Sequence, residues 1–337
     1  LGDLLMPFTI EWDGGVSVEC SGAKLIFDPQ RKNNFSRIFI THAHYDHSRG
    51  FSFKDCEKLS TMETKEIVDT YGKKIRNWKP LQIGTSIKID NLEVVSHNAG
   101  HVLGSVLYEV ITPEGNLVYT GDLQFNDSFT LKGAEPVPCD ILIIESTFGL
   151  ESFRFPDRET LAHEMVHWAL KTIRSGKIPT FKTDSLGNAQ EVTKAFNLYS
   201  DLPVTVHWKV GRINEIYRNN GQVLGFVDAR SEEASDVTSS GRCIFIVPKN
   251  VNLTQHPELE PALVSGWASW SKKYKNAFAL SDHADFDQLM EFVSACKPRA
   301  VLTCFGGRFN QIFAKQVEKR LGIEARPLDL IPTKFVL

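Results

Sequence analysis

Short apolar runs rich in β-branched and aromatic residues recur through the first 150 positions: Phe8–Trp12, Lys24–Phe27, Arg37–Thr41, Glu93–Ser96, Ser105–Ile111, Leu117–Thr120 and Asp140–Ile144. Runs of this length, bounded by Gly, Pro, Asn or Asp, read as strands. Pro113–Asn116 is a turn between two of them and predicts a hairpin. The pattern changes at Arg158. Leu161, Met165, Val166, Ala169, Leu170 and Ile173 recur at a helical period as far as Arg174, and Gly176 is a stop signal. Gly187–Tyr199 reads as a second helix, after which helices alternate with short strands such as Cys243–Val247. The tail is again strand and helix: Asp285–Ala295 helical, Ala300–Cys304 extended, Asn310–Leu321 helical. The expected architecture is α/β, with a strand-rich domain built from 1–150 and 266–337 and a second domain, 151–265, inserted into it.

Composition adds bounds to this pattern. A chain of 337 residues is too long for one ordinary core. Hydrophobic content of 42% and charged content of 23% belong to the soluble globular class. No apolar run approaches the ~20 residues of a membrane helix, so no membrane association is expected, and no secretory leader is expected either. The six cysteines are widely spaced and none forms a C-x-x-C pair, which argues for a reducing, cytoplasmic setting. A net charge of −3 argues against a passive nucleic-acid coat and leaves room for a local basic groove.

Candidate chemistry is concentrated where the Arg37–Thr41 run ends. His42, His44, Asp46 and His47 follow it directly, so three of the ten histidines alternate with a carboxylate in one short loop. Imidazole and carboxylate are the preferred ligands of Zn²⁺ and similar ions. Alternate residues of an extended segment point the same way, so His42 and His44 can grip one ion while Asp46 and His47 address another. A polar loop that merely contains histidines is the competing reading, and the density of the cluster argues against it. Asp28, His101, Asp122, Glu145 and His283 each occupy a short loop beside a predicted strand or helix. Singly, each would be a turn or cap residue. Jointly, they mark one edge of a layered fold, where sites form.

In sequence order, Asp28, the His42-x-His44-x-Asp46-His47 cluster, His101, Asp122, Glu145-Ser-Thr-Phe-Gly149, Asp184-Ser-Leu-Gly-Asn-Ala-Gln-Glu191 and Ser281-Asp-His-Ala-Asp285 resemble the metallo-β-lactamase superfamily, and within it the β-CASP nucleases. The resemblance covers nearly the whole chain. Gly266-Trp-Ala268, followed by the Ser-Asp-His-Ala-Asp segment, is also similar to ligase-associated and Artemis-like DNA exonucleases. Homologues of mRNA 3′-end processing factors belong to the same branch. The resemblance implies a four-layer αββα sandwich with an inserted α/β β-CASP domain. It implies that His42, His44 and His101 bind one zinc, that Asp46 and His47 help to bind a second, and that Asp122 bridges the two. Asp28 would orient a ligand histidine, and His283, paired with Glu145, would act near the leaving group. Asp46, Asp122, Glu145 and His283 are then the expected catalytic residues.

One position departs from the family pattern. RNA-cutting members commonly carry a further histidine in the loop after the last strand, where Phe305 stands here, and no histidine follows His283. The expectation is one tight zinc site and a second, weaker one, with Mn²⁺ or Mg²⁺ as alternative ions. Adjacent Cys304 is either a replacement ligand or a small core residue. Artemis-like nucleases also lack this histidine, so single-stranded DNA is favoured over RNA as the partner, with a DNA-repair partner such as a ligase. The expected function is a 5′-to-3′ DNA exonuclease. An RNA-processing nuclease and a non-catalytic scaffold subunit are the alternatives. Ser185, Gly187 and Asn188 can present backbone amides to a phosphate or form an ordinary helix cap. Lys272 and Lys273 belong to a cation–aromatic run suited to a single strand. The similar run Lys73–Lys79 reads rather as a solvated face.

Overall fold

The computed structural model describes residues 9–20, 22–32, 34–270 and 275–330. These divide into two compact units. The first takes the described residues up to Asp127, then Lys132–Arg154 and everything from His283 onward; the second takes Ser128–Leu131 and Phe155–Asp282.

Unit 1 is built on two sheets. Six strands lie in chain order in the first: Thr9–Trp12, Val16–Cys20, Ala23–Phe27, Arg37–Phe39, Glu57–Ser60 and Trp78–Pro80. The second has seven, in the spatial order Glu324–Pro327, Ala300–Cys304, Ile141–Glu145, Gly115–Tyr119, Val106–Thr112, Leu92–Asn98 and Ser86–Ile89. One core joins the sheets: Val16, Leu25, Phe27, Phe39 and Leu59 from the first pack with Val94, Tyr108, Leu117, Tyr119, Ile143 and Leu302 from the second. Alternate residues of the second sheet, Leu107, Val118, Leu142, Ile144 and Val301, face the other way onto helices Phe286–Cys296 and Arg308–Leu321. Side chains alternate across a strand, so a strand covered on both faces must be apolar throughout. Ile141–Ile144 are apolar and buried for that reason, and the strand ends on buried Glu145.

Register gathers the strand ends. Ala23–Phe27 runs parallel to Arg37–Phe39 with Phe27 opposite Phe39. Gly115–Tyr119, Ile141–Glu145 and Ala300–Cys304 are mutually parallel, with Tyr119 opposite Ile143 and Glu145 opposite Cys304. Val106–Thr112 is antiparallel to Gly115–Tyr119, which sets its start beside the end of that strand. The loops at Asp28, His42–His47, His101, Asp122 and Phe305 consequently leave one edge of the sandwich. The Arg37–Thr41 run ends as a strand at Phe39, two residues earlier than expected. Ile40 still donates to Leu59 O, but the Thr41 amide turns to Asp28 Oδ1, 2.8 Å away.

Unit 2 holds an all-parallel sheet in the order Val227–Asp228, Val204–Val206, Ile244–Pro248, Ile178–Thr183, Leu259–Val264, Ala277–Phe278. Parallel neighbours require crossovers, supplied by helices such as Asn188–Tyr199 and Trp208–Asn219. Its own core contains Leu161, Met165, Phe181, Val192, Phe196, Ile246 and Val264. Ala277–Phe278 pairs with Leu259–Val264, so the chain returns to unit 1 at His283 rather than at 266. No helix among the described residues is long and apolar enough to cross a membrane.

Candidate metal centre

At the shared edge of unit 1, ligand atoms of His42, His44, His101 and Asp122 all lie within 4.8 Å of one another. The backbone explains the convergence. Val106 N donates to Thr41 O (3.0 Å) and Tyr108 OH to Ile40 O (3.0 Å), which ties the histidine loop to the strand that follows His101. Gly121 lies in the left-handed region (φ +55°), and a Cβ there would stand 2.8 Å from the Thr41 side chain. Only glycine allows the Asp122 loop to come so close.

Behind the cluster, one carboxylate orients two rings. Buried Asp28 accepts hydrogen bonds from Thr41 N (2.8 Å), Thr41 Oγ1 (2.7 Å) and Tyr119 OH (2.8 Å), and its Oδ2 lies 2.7 Å from His47 Nδ1. A carboxylate only accepts, so His47 Nδ1 carries the proton. Thr41 Oγ1 gives its hydrogen to Asp28 and has only lone pairs left for His42 Nδ1, 2.9 Å away. His42 Nδ1 is therefore also the protonated nitrogen. Both rings then turn Nε2 inward, towards Asp122: His42 Nε2 is 3.5 Å from Oδ2 and His47 Nε2 is 3.4 Å from Oδ1. Such a partner fixes tautomer and ring orientation at metal sites.

The inward atoms are the test of whether an ion fits. His42 Nε2, His47 Nε2 and Asp122 Oδ1 are buried and make no hydrogen bond. Orphaned buried polar atoms are rare in native proteins, and here three of them face one space. Burial, and then the neighbouring His47, push His42 down to about 3. His47 moves the other way: burial opposes its charge, but the Asp122 and Asp28 carboxylates outweigh burial and hold it well above the ordinary histidine value. Burial would likewise raise Asp122, yet His47 and His283 hold it well below the carboxylate range. The pocket calls for positive charge and offers three imidazoles and a carboxylate, a donor set suited to a zinc-like divalent ion.

A second constellation shares Asp122. Ligand atoms of Asp122, Glu145 and His283 also lie within 4.8 Å of one another. Fully buried Glu145 accepts from Leu123 N (2.8 Å) and from Thr147 N (3.3 Å). Its two oxygens lie 2.8 and 3.1 Å from His283 Nδ1, so that nitrogen is the donor and Nε2 is turned to Asp122 Oδ2 at 3.9 Å. The chain is brought there by Ala284 N donating to Leu123 O (2.8 Å).

The other side of the cluster is thinner. Asp46 is largely exposed (62%), and its Oδ2 is 3.9 Å from His47 Nε2. Phe305 stacks on His47 with ring centroids 4.4 Å apart and adopts φ +57°, a left-handed conformation uncommon outside glycine. Cys304 does not join the site: its thiol reaches Ile144 O (3.5 Å) and lies in the core between the sheets. Burial, with Asp122, Glu145 and Asp28 nearby, pushes that thiol well up, away from the thiolate a metal would take.

Ser185, Gly187 and Asn188 belong to unit 2, between strand Ile178–Thr183 and helix Asn188–Tyr199. The Gly187 amide is not available to a phosphate, because it donates to Gln190 Oε1 (2.8 Å) as part of a helix cap. Asn188 Oδ1 is buried without a partner. Lys272 and Lys273 lie outside the described residues. Thr41 and Tyr119 escaped the sequence reading. Their signal was present, in the Thr that opens the histidine cluster and the Tyr of the Tyr-Thr-Gly-Asp loop.

No family model matches the chain. A protein named "Probable DNA ligase" from Opitutus terrae is 28% identical over 335 residues, covering 95% of this chain and 31% of that protein. "RNase aCSPSF2" from Saccharolobus solfataricus is 23% identical over 356 residues, covering 85% of this chain and 72% of that protein. A solved structure, a protein of unknown function from Enterococcus faecalis, superposes with a TM-score of 0.69 over 98% of this chain and 100% of the other at 15% identity, a likeness of fold alone. The chain thus spans less than a third of the first relative and most of the second. Taken together, relatives that include proteins named RNase aCSPSF2, RNase J-like protein and cleavage and polyadenylation specificity factor subunit 3 indicate the β-CASP branch of the metallo-β-lactamase superfamily as the one this chain is similar to.

Proposed function

We propose that the chain is a metal-dependent phosphodiesterase that cuts nucleic acid, and that its substrate is single-stranded DNA, shortened from the 5′ end in DNA repair. The observation that carries the reading is the Glu145–His283 pair sharing Asp122 with the histidine cluster. A zinc ion held by His42, His44, His101 and Asp122 supplies Lewis acidity to a phosphodiester, with Mn²⁺ or Mg²⁺ as alternatives. Asp28 keeps two ring nitrogens aimed inward, one of them through Thr41. Glu145 accepts from His283 Nδ1 and favours the imidazolium. As a water oxygen adds to phosphorus and the phosphorus–oxygen ester bond breaks, His283 Nε2 can give its proton to the leaving oxygen. Asp46 and His47 would hold a second ion, with one ligand fewer because Phe305 stands where RNA-cutting members carry a histidine.

Two features support DNA. Phe305 stands where RNA-cutting members of the branch carry a histidine, and the relative named a DNA ligase matches nearly the whole chain. A ligase is accordingly the proposed partner in repair, in the cytoplasm. The relative named an RNase supports the competing RNA reading. Ser185 and Asn188 are the proposed phosphate contacts of unit 2, and Lys272 and Lys273 are further proposed contacts. A scaffold role fits less well, because the chain keeps nearly all of the ligand residues.

The test uses end-labelled single-stranded DNA and RNA of matched sequence, incubated with the wild type and with Asp122→Ala. Metal-dependent shortening of DNA by the wild type alone is expected. Silence of both proteins on both substrates would sink the enzyme reading, and cleavage of RNA alone would sink the DNA preference.

A further inference from the structure

Tyr45 sits between two residues of the histidine cluster, His44 and Asp46, yet its ring is 61% exposed. Two cations are held against that ring: the Arg49 guanidinium carbon is 4.9 Å and Lys73 Nζ 5.0 Å from its centroid. Arg49 comes from the turn Ser48–Ser52 directly after the cluster, and Lys73 follows helix Met62–Asp69. Neighbouring lysines find carboxylates: Lys79 reaches Glu57 at 2.6 Å, Lys65 reaches Asp69 at 2.5 Å and Lys32 reaches Asp55 at 2.7 Å. Among the described residues, Arg49 and Lys73 pair with none. Burial, and then the like charge of Arg49, lower Lys73, as expected where two cations lack a counter-charge. An unneutralised cation pair around one exposed aromatic face, inside the ligand loop and next to His44, offers what a single strand needs: a stacking surface for a base and charge for a phosphate beside it.

We propose that Tyr45, Arg49 and Lys73 form a nucleotide subsite, with a base of a single-stranded nucleic acid on the Tyr45 ring and an adjoining phosphate between the two cations. The subsite lies in unit 1 and does not depend on the unit 2 contacts proposed above. It rests on the nuclease reading and adds a residue-level account of how the strand is held beside the metal centre. The Lys73–Lys79 run then splits by role: Lys73 serves the subsite, while Trp78 and Lys79 are engaged with Ser60 and Glu57.

Binding of fluorescein-labelled phosphorothioate oligothymidylate and oligouridylate, which resist cutting, is measured by anisotropy on the metal-loaded full chain across a range of sodium chloride concentrations. Tyr45→Ala should weaken binding about tenfold, while Tyr45→Phe, which keeps the ring, stays within about twofold. Joint Arg49→Gln and Lys73→Gln should lower the slope of log affinity against log salt by about 0.7, the value for one single-strand phosphate. Tyr45→Ala should leave that slope unchanged. Wild-type affinity in Tyr45→Ala, or an unchanged slope in the double variant, overturns the subsite. A wild type that cuts unmodified strands but whose binding ignores all three side chains overturns the subsite and leaves the nuclease reading standing. A wild type that neither binds nor cuts overturns both.

Discussion

Asp28 shows how much one side chain can determine at this site. It is fully buried, follows the strand Ala23–Phe27, and adopts φ +48° before Pro29. From there it meets Thr41, His47 and Tyr119 at once, and so sets the protonated nitrogen of two histidines. Asp28→Asn replaces one accepting oxygen by an NH₂ group that confronts other donors. Zinc affinity in chelator competition should fall about 10–100-fold, and an unchanged affinity would show that the rings are held by packing alone. Phe305 governs the opposite side. Wild-type protein dialysed against a weak chelator should retain one zinc per chain by elemental analysis, whereas Phe305→His should retain a second. Histidine tolerates a positive φ better than phenylalanine, so the swap should not unfold the loop. Two equally tight ions in the wild type would refute the asymmetry. The ligands were readable from the sequence because they alternate in one loop. The roles of Thr41 and Tyr119 were not, because these residues act through hydrogen bonds to Asp28 that only the register discloses.

At the level of elements, the site depends on how closely two loops approach. Gly121→Ala asks an L-residue to hold φ +55° and sets a methyl carbon 2.8 Å from the Thr41 side chain. The loop must shift, at a cost of about 2–4 kcal/mol from backbone strain and overpacking together. Urea denaturation should show that loss, and chelator competition a parallel loss of zinc affinity. Stability within about 0.5 kcal/mol of wild type would mean that the loop relaxes freely. Strands with both faces covered, such as Ile141–Glu145, were legible because nothing polar interrupts Ile141–Ile144. Glu57–Ser60 was not, because Lys58 stands in its middle; its side chain is nonetheless buried, with Nζ donating to Cys56 O (2.8 Å). Helix Met62–Asp69 was equally hidden: Ile67 and Val68 are its buried aliphatic residues, too few to announce a period.

The whole molecule is divided less simply than the sequence implies. The inserted unit does not end where the apolar strand Leu259–Val264 ends, because the two-residue strand Ala277–Phe278 still joins its sheet. A strand so short carries no readable pattern. Ser128–Leu131, distant in sequence, also belongs to this unit, and the reason is a single buried acid. Glu191, 3% exposed, accepts from Phe129 N (3.0 Å), Thr130 N (3.0 Å) and Thr130 Oγ1 (2.5 Å), and pairs with Arg158 Nη1 (3.0 Å). Arg158 in turn donates to Ser281 O (2.8 Å), so one ion pair fastens two distant segments at which the chain enters and leaves the unit. Removing one partner of a buried pair leaves an uncompensated charge, a loss of about 3–5 kcal/mol. Glu191→Ala should therefore lower the urea midpoint of a transition followed by tryptophan fluorescence, since Trp168 and Trp208 both lie in unit 2. Hydrogen exchange gives the sharper reading. The Phe129 and Thr130 amides lose their acceptor and should exchange faster than amides within strand Ile178–Thr183, which keep theirs. Glu191→Gln, which retains an accepting oxygen, should protect them in part. If the two amides exchange in Glu191→Ala at the wild-type rate, Ser128–Leu131 is held by the ring contact of Phe129 with Tyr199, at 5.9 Å, and not by the acid.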